Sequence, residues 1–361
     1  MLNAISFTRK HIDECVARLG CRNPVLLEKA IIVLQLVGHL AEAGLPFQFR
    51  GGSSLLLLVQ PVRRLSIDAD IATQATAEEL DAVLERVAEL PPFTGVEHDV
   101  ARDRALPPKK HYRVHYPSAL PAPSSFSSHI LLDVLFEAPG QTEFRLISTP
   151  FIQPERDVRV AVPGINELMG DKLSAFAPQT IGILYHDERT ADIVKQLFDI
   201  AVLFDVATDL AAVAAAYEVV QANQCRYRQS QFTLDQTLDD TIQACLELSQ
   251  HDLKGAPKDA ARGRFFFDGI AKLEGHLLTP FLRDQARIAA GKVACVAAWV
   301  KRRPKGVPIE SLRSSAEKLQ NLGDKTIAPP WAPLGKLKGG NPEAFLYWWQ
   351  AQRLFNGAVP W

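Results

Sequence analysis

The chain has 361 residues, 47% of them hydrophobic and 22% charged, which is enough apolar mass for two packed domains and excludes a disordered or collagen-like chain. Lys and Arg number 40 against 41 Asp and Glu, a formal net charge of -1, so the whole-molecule field draws it to neither nucleic acid nor membrane. The cysteines (Cys15, Cys21, Cys225, Cys245 and Cys295) are odd in number, scattered and without a Cys-x-x-Cys pair, which excludes a disulfide framework or zinc site and predicts reduced, mostly buried thiols.

The N-terminus is interrupted by charge before any apolar stretch reaches signal-peptide length, and no later run is expected to reach membrane-span length. A cytoplasmic protein with no membrane partner is therefore expected. Residues 1–46 read as helical, most clearly from Pro24, a residue suited to a first turn, through the apolar set Leu26, Ile32, Val33, Leu36 and Leu40. Gly44 and Pro46 stop that helix. His39, on its mostly apolar surface, reads as a hydrogen-bonded structural group.

The next stretch organises the chain. A Gly51-Gly52-Ser53-Ser54 turn opens a short apolar helix, and after a proline comes Asp68-Ala69-Asp70 in a strand-like run. Strand periodicity points Asp68 and Asp70 to one face and Ile67, Ala69 and Ile71 to the other. Two adjacent carboxylates repel unless one is protonated or a cation lies between them. A hard divalent cation takes carboxylate and phosphate oxygens together, and Gly51 and Gly52 let backbone N–H groups approach an anion at a helix N-terminus. The stretch thus reads as a metal and triphosphate site.

Thr76 caps a helix to about residue 90, with Glu78 and Glu79 in its first turn. Residues 95–102 read as a strand, as do residues 112–116; the basic, proline-containing segment 102–110 between them reads as a solvated hairpin tip. Residues 117–128 form a Ser/Pro-rich connection. The apolar run 129–137 then holds a single acid, Asp133, which needs a partner if its strand is central. Residues 144–162 are strand-like and broken by prolines. Two helices follow: one at 163–176 with Lys172 available to a cleft, and one at 187–205 with Asp192, Lys195 and Asp199 on one polar face.

Arg50-Gly-Gly-Ser-Ser-Leu followed by Arg64-Leu-Ser-Ile-Asp-Ala-Asp-Ile resembles the nucleotidyltransferase superfamily of DNA polymerase β, and most closely its AbiEii/AbiGii toxin branch. The later motifs of that branch are matched by Lys172-Leu-Ser-Ala and Lys195-Gln-Leu-Phe-Asp199, with Gln196 departing from the usual acid. The resemblance covers roughly residues 25–206. It implies an α+β fold: a polymerase-β-like domain with a mixed sheet flanked by helices over residues 1–206, then an all-helical region over residues 207–361. It further implies that Asp68, Asp70 and Asp133 ligate Mg²⁺ (or Mn²⁺). Gly51, Gly52, Ser53, Ser54, Arg64 and Lys172 would serve the nucleoside triphosphate (NTP), with Asp199 holding Lys172. The reaction implied is nucleotidyl transfer to an acceptor hydroxyl with release of pyrophosphate, in a toxin–antitoxin or phage-defence system with a cognate antitoxin.

From residue 207 onward only helical patterns appear, at 210–220, 234–248, 260–273 and 280–300. A basic segment follows (Lys301, Arg302, Arg303, Lys305, Arg313, Lys318, Lys325, Lys336, Lys338) together with Trp331, Tyr347, Trp348 and Trp349. Basic residues interleaved with aromatics suit an RNA end, such as the tRNA 3′ end; a solvated surface over a C-terminal aromatic core accounts for them equally. Two other functions stay open on the sequence alone: the same chemistry on a protein or small-molecule hydroxyl, and a non-catalytic nucleotide-binding regulator.

Overall fold

The computed structural model describes residues 1–121, 128–256 and 260–360. The part of the Ser/Pro-rich connection at 122–127 lies outside the described residues. Contacts divide the chain into two compact units. The first is Met1–Gly164 with Gly275–Thr279, and the second is Ile165–Glu274 with Pro280–Trp361.

In the first unit, α1 (Arg9–Leu19) precedes α2 (Pro24–Glu42), which Asn23 caps by accepting the N–H groups of Val25 and Leu26. By length and composition α2 could cross a membrane, against the expectation that no apolar run reaches that length. It is a core helix instead, buried from Leu27 to Leu40 apart from Lys29. His39 is buried on it, its Nε2 2.9 Å from the Gln35 side-chain nitrogen and 3.0 Å from the Pro91 carbonyl, the structural role expected of it.

A five-stranded mixed sheet has the order β1-β2-β5-β4-β3. Its strands are β1 (Phe47–Arg50), β2 (Ala69–Thr73), β3 (Gly95–His98), β4 (Lys109–Tyr116) and β5 (Ser128–Leu135). Among the described residues the β2–β5 pairing alone is parallel. Between strands lie α3 (Gly51–Leu58) and α4 (Ala77–Ala88), the latter closed by a Thr76/Glu79 capping box. A hairpin of β6 (Thr142–Leu146) and β7 (Arg159–Pro163) joins β1 through Gln48, whose Nε2 donates to the Gln141 carbonyl and the Thr142 hydroxyl. The returning segment bonds back to the loop before β2, with Leu65 N–H on the His276 carbonyl at 2.7 Å and Leu278 N–H on the Arg63 carbonyl at 2.9 Å.

Apolar burial fixes the central register. Ala69, Ile71, Ile130, Leu132 and Val134 all face the core, at 2% exposure or less. Burying each large aliphatic side chain is worth roughly 1.5–3 kcal/mol. A one-residue slip of β5 would expose that set and force Asp133 inward, so the register is strongly specified.

The second unit is helical: α5 (Ile165–Ala175), α6 (Thr190–Val206), α7 (Leu210–Arg228), α8 (Leu234–Gln250), α9 (Ala260–Leu273) and α10 (Arg283–Arg302). Short helices α11 (Ile309–Leu312), α12 (Ala316–Gln320) and α13 (Leu337–Gly340) lead to α14 (Pro342–Phe355). The division at Gly164 differs from the one expected after residue 206. The reason is that α5 packs on α6 and α7, and α6 on α9 and α10, so both helices belong to the helical unit. Helical periodicity announces a buried face but not the partner that covers it.

The C-terminal aromatics are core. Tyr347 and Trp348 are at most 1% exposed, Trp331 packs edge-on against Trp348 at 5.5 Å, and the Trp348 indole donates to Ser249. Many of the basic residues have local partners. Lys301 pairs with Asp239 at 2.6 Å, Arg313 donates to the Phe204 and Ala207 carbonyls that end α6, and Lys338 donates to the Gly323 and Lys325 carbonyls. The solvated-surface reading therefore holds for the aromatics, and they offer no stacking face to a nucleic acid.

Candidate active site

Arg50 ends β1 and caps α3 without a side-chain bond, so the first N–H groups of α3 are left without intrahelical partners. Gly51 has φ +67, the left-handed region, and a Cβ there would lie 2.0 Å from Asp70 Oδ2. Gly52 is constrained from another side, since its Cβ would meet an Arg64 guanidinium nitrogen at 2.5 Å. The glycine pair thus lets the Asp70 carboxylate and the Arg64 guanidinium both lie directly against the turn. Ser53 and Ser54 are fully buried, and their hydroxyls donate to the Asp68 carbonyl (2.5 Å) and the Gly51 carbonyl (2.9 Å). They brace the turn and the approach to β2. Arg64 is 6% exposed and also donates to the Leu65 carbonyl.

Asp70 lies opposite Asp133 in the parallel β2–β5 register, so both carboxylates emerge on one face of neighbouring strands. Asp68 departs from the expected strand position: β2 begins at Ala69, and Asp68 lies just before it. Asp133 Oδ1 is buried and has no hydrogen-bond partner among the described residues. Its Oδ2 lies 3.5 Å from Arg102 and 3.9 Å from His111 Nε2, and His111 Nδ1 lies 3.5 Å from Asp103. Burial raises the Asp103 carboxyl, but hydrogen bonds from the His98 ring and the His111 backbone N–H outweigh it and hold the group below its ordinary 3.8.

No three His, Cys, Asp or Glu side chains come together as a metal-holding set among the described residues, so the expected trio of Asp68, Asp70 and Asp133 is not assembled as one cluster. The donors nevertheless fit a hard cation. Mg²⁺ is held by one or two carboxylates with water and substrate phosphates completing its shell, and the orphaned Asp133 oxygen beside Asp70 suits that role.

Lys172 and Asp199 meet inside the second unit, Nζ to Oδ2 at 2.9 Å, with side-chain exposures of 7% and 0%. The pairing follows the sequence expectation, but Lys172 is buried rather than open, and Asp199 is not part of a surface pair with Lys195. Lys195 faces Asp192 at 3.6 Å instead.

Arg102 and His111 went unnoticed in the sequence as neighbours of Asp133. Segment 102–110 reads as a solvated tip because only pairing across β4–β5, His111 opposite Asp133, brings it to the acid. Beside Asp103 an open cavity of about 400 Å³ is lined by Arg104, Lys109, Lys110 and Phe136. Lys109 shares the His111 face of β4.

The sheet thus sets a glycine-serine turn at the start of α3 beside an acid pair on neighbouring strands. The family described as "Nucleotidyl transferase AbiEii toxin, Type IV TA system" matches residues 36–264, and the chain belongs to it. It is accordingly a nucleotidyl transfer enzyme of a toxin family. A search of curated proteins found no match. Among solved structures the chain is similar to a putative nucleotidyltransferase from H. pylori (16% identity, 80% of this chain and 97% of that one, TM-score 0.42). It is also similar to JHP933 from Helicobacter pylori (15%, 76% and 92%, TM-score 0.42) and to MenT4, a nucleotidyltransferase toxin from Mycobacterium tuberculosis H37Rv (14%, 80% and 98%, TM-score 0.45). Likenesses at those scores and identities are too loose to assign a substrate or a partner to this chain.

Proposed function

We propose that the chain transfers a nucleotidyl group from an NTP to the 3′-hydroxyl of an RNA, tRNA being the expected acceptor, in the cytoplasm and under control of a cognate antitoxin. The observation that carries this reading is the Asp70–Asp133 register on adjacent parallel strands, with Gly51 shaped to the Asp70 carboxylate. Asp70 and Asp133, with Asp68 at the start of β2, would hold Mg²⁺, which supplies charge neutralisation at the α-phosphate and lowers the pKa of a bound hydroxyl. The N–H groups of the first turn of α3, which have no intrahelical partners, offer hydrogen bonds to phosphate oxygens. Lys109 and Arg104, in the cavity beside Asp103, add cationic charge near the leaving pyrophosphate. Arg102 would engage Asp133 Oδ2, with His111 Nε2 3.9 Å from the same oxygen, leaving Oδ1 for the site.

Lys172 orients through Asp199, and its burial supports a positioning role in the helical unit ahead of direct phosphate contact. The test is incorporation of each α-labelled NTP into total RNA with Mg²⁺ by the purified protein, beside Asp70→Asn. Label on tRNA-sized species that is absent from the variant is the expected result; label on protein alone would overturn RNA as the acceptor.

A further inference from the structure

The basic-aromatic character absent from the C-terminal segment is found at α9. There, wholly within the second unit, an open cavity of about 760 Å³ lies between α9 and the residues leading into α6. The Tyr185 ring is fixed from two sides: its hydroxyl donates to Glu247 at 3.0 Å, and Phe265 packs edge-on at 5.0 Å. The Arg262 guanidinium carbon lies over that ring, 3.7 Å from its centroid. Arg264 lines the same cavity, is exposed, and has no ion-pair partner among the described residues. Lys272 is tethered by donation to the Asp187 carbonyl at 3.2 Å. Thr190, 3% exposed, is also on the wall, and its hydroxyl has no hydrogen-bond partner among the described residues.

The geometry points to a binding site for one nucleotide unit of single-stranded RNA, its base stacked at the Tyr185–Arg262 platform and its phosphate at Arg264 and Lys272. This rests on RNA being the acceptor. The volume falls in the range that encloses a small ligand, roughly 300–1,000 Å³. Charge selects the form of the ligand. Three cations line the cavity with two carboxylates, Asp187 and Asp268, leaving one net positive charge. That balance suits a single phosphodiester, and the carboxylates would repel a triphosphate while accepting hydrogen bonds from a base amino group or a 2′-hydroxyl. A planar guanidinium on a ring is sequence-tolerant, since every base has a π-face.

The test uses the full chain and a short fluorescent single-stranded RNA carrying 4-thiouridine. Arg262→Ala should weaken binding about tenfold, and Arg262→Lys nearly as much, because the charge is kept but the plane is lost. Arg264→Ala, at an exposed position where misfolding is not expected, should reduce the slope of log affinity against log salt by about 1. Photo-crosslinks should fall on Tyr185, Phe265 or the 262–272 peptide. A nucleoside monophosphate that competes as well as the RNA would support the site with free nucleotide as its source. Unchanged binding in both Ala variants, or crosslinks only elsewhere, would overturn the site, even with RNA still labelled by the wild type. RNA crosslinked at 262–272 but never labelled with NTP would instead overturn the acceptor reading and leave the site standing.

Discussion

The two units treat charge in opposite ways. In the sheet, Asp70 and Asp133 are like charges in neighbouring strand positions, and one Asp133 oxygen has no hydrogen-bond partner among the described residues. In the helical unit, Lys172 and Asp199 are opposite charges, buried and 2.9 Å apart. The first arrangement leaves a carboxylate oxygen available to a cation; the second is an ion pair in which removal of either partner leaves an uncompensated buried charge. An unsatisfied carboxylate oxygen beside a second acid therefore indicates chemistry where a closed ion pair indicates structure.

The sharpest way to break this comparison is to remove one member of the buried pair. Asp199→Ala strands a buried ammonium and should cost about 3–5 kcal/mol of unfolding free energy, read by urea denaturation. A loss below about 1 kcal/mol would mean that the pair is not structural. Next, Asp70→Asn and Asp133→Asn should lower nucleotidyl transfer by about 10²–10³-fold, or about 2.7–4 kcal/mol in barrier. Their stability should change by no more than about 1 kcal/mol, because relief of like-charge repulsion opposes the loss of the part-exposed pairing of Asp133 with Arg102. A parallel fall in stability and activity would place these acids with the structural pair.

A smaller effect sharpens the role of the turn. Gly51→Ala adds a Cβ 2.0 Å from Asp70 Oδ2 at φ +67, and should lose about 1–2 kcal/mol of stability along with most activity. Substituting Ser53, which only braces the turn through the Asp68 carbonyl, should affect stability more than chemistry.

The smallest effect is one of pH. Burial lowers His39 below its ordinary 6.5 against the opposing pull of the Pro91 carbonyl, so the unfolded chain binds the extra proton first as pH falls. The contribution of this group is fully present above 6.5 and is lost as pH falls from there toward its lowered folded value. His39→Gln should flatten the stability profile as pH falls below about 6.5, while leaving nucleotidyl transfer in place. An unchanged slope would assign the acid sensitivity to other groups, such as His129, which burial also lowers.

Much of the fold was legible because its signals are local. Pro24 with the apolar helix behind it, the Thr76 cap and the alternation through Asp133 each became the element they announced. The turn at Gly51 was legible as well, since consecutive glycines before a serine and an apolar run leave few backbone alternatives. The Lys172–Asp199 pairing was implied by the family resemblance, but its burial was not legible: a lysine at a helical position reads as open to a cleft, and only the packing of α5 on α6 encloses the pair. Trp331 and Trp348 show the same limit, because aromatics among cations look like a binding stripe until a core is seen to enclose them.

What the sequence by itself determined is therefore the set of elements and the residue types at the acid site, because periodicity, turn chemistry and the glycine-serine and Asp-x-Asp pattern are properties of neighbouring residues. Tertiary structure alone decided the register that sets Asp133 opposite Asp70, that Arg102 and His111 approach the same acid, that α5 and α6 belong to the helical unit, and that Arg262 lies over the Tyr185 ring. Those are pairings between residues distant along the chain, and strand register and helix packing, set by burial over the whole molecule, choose among the partners that local pattern leaves open.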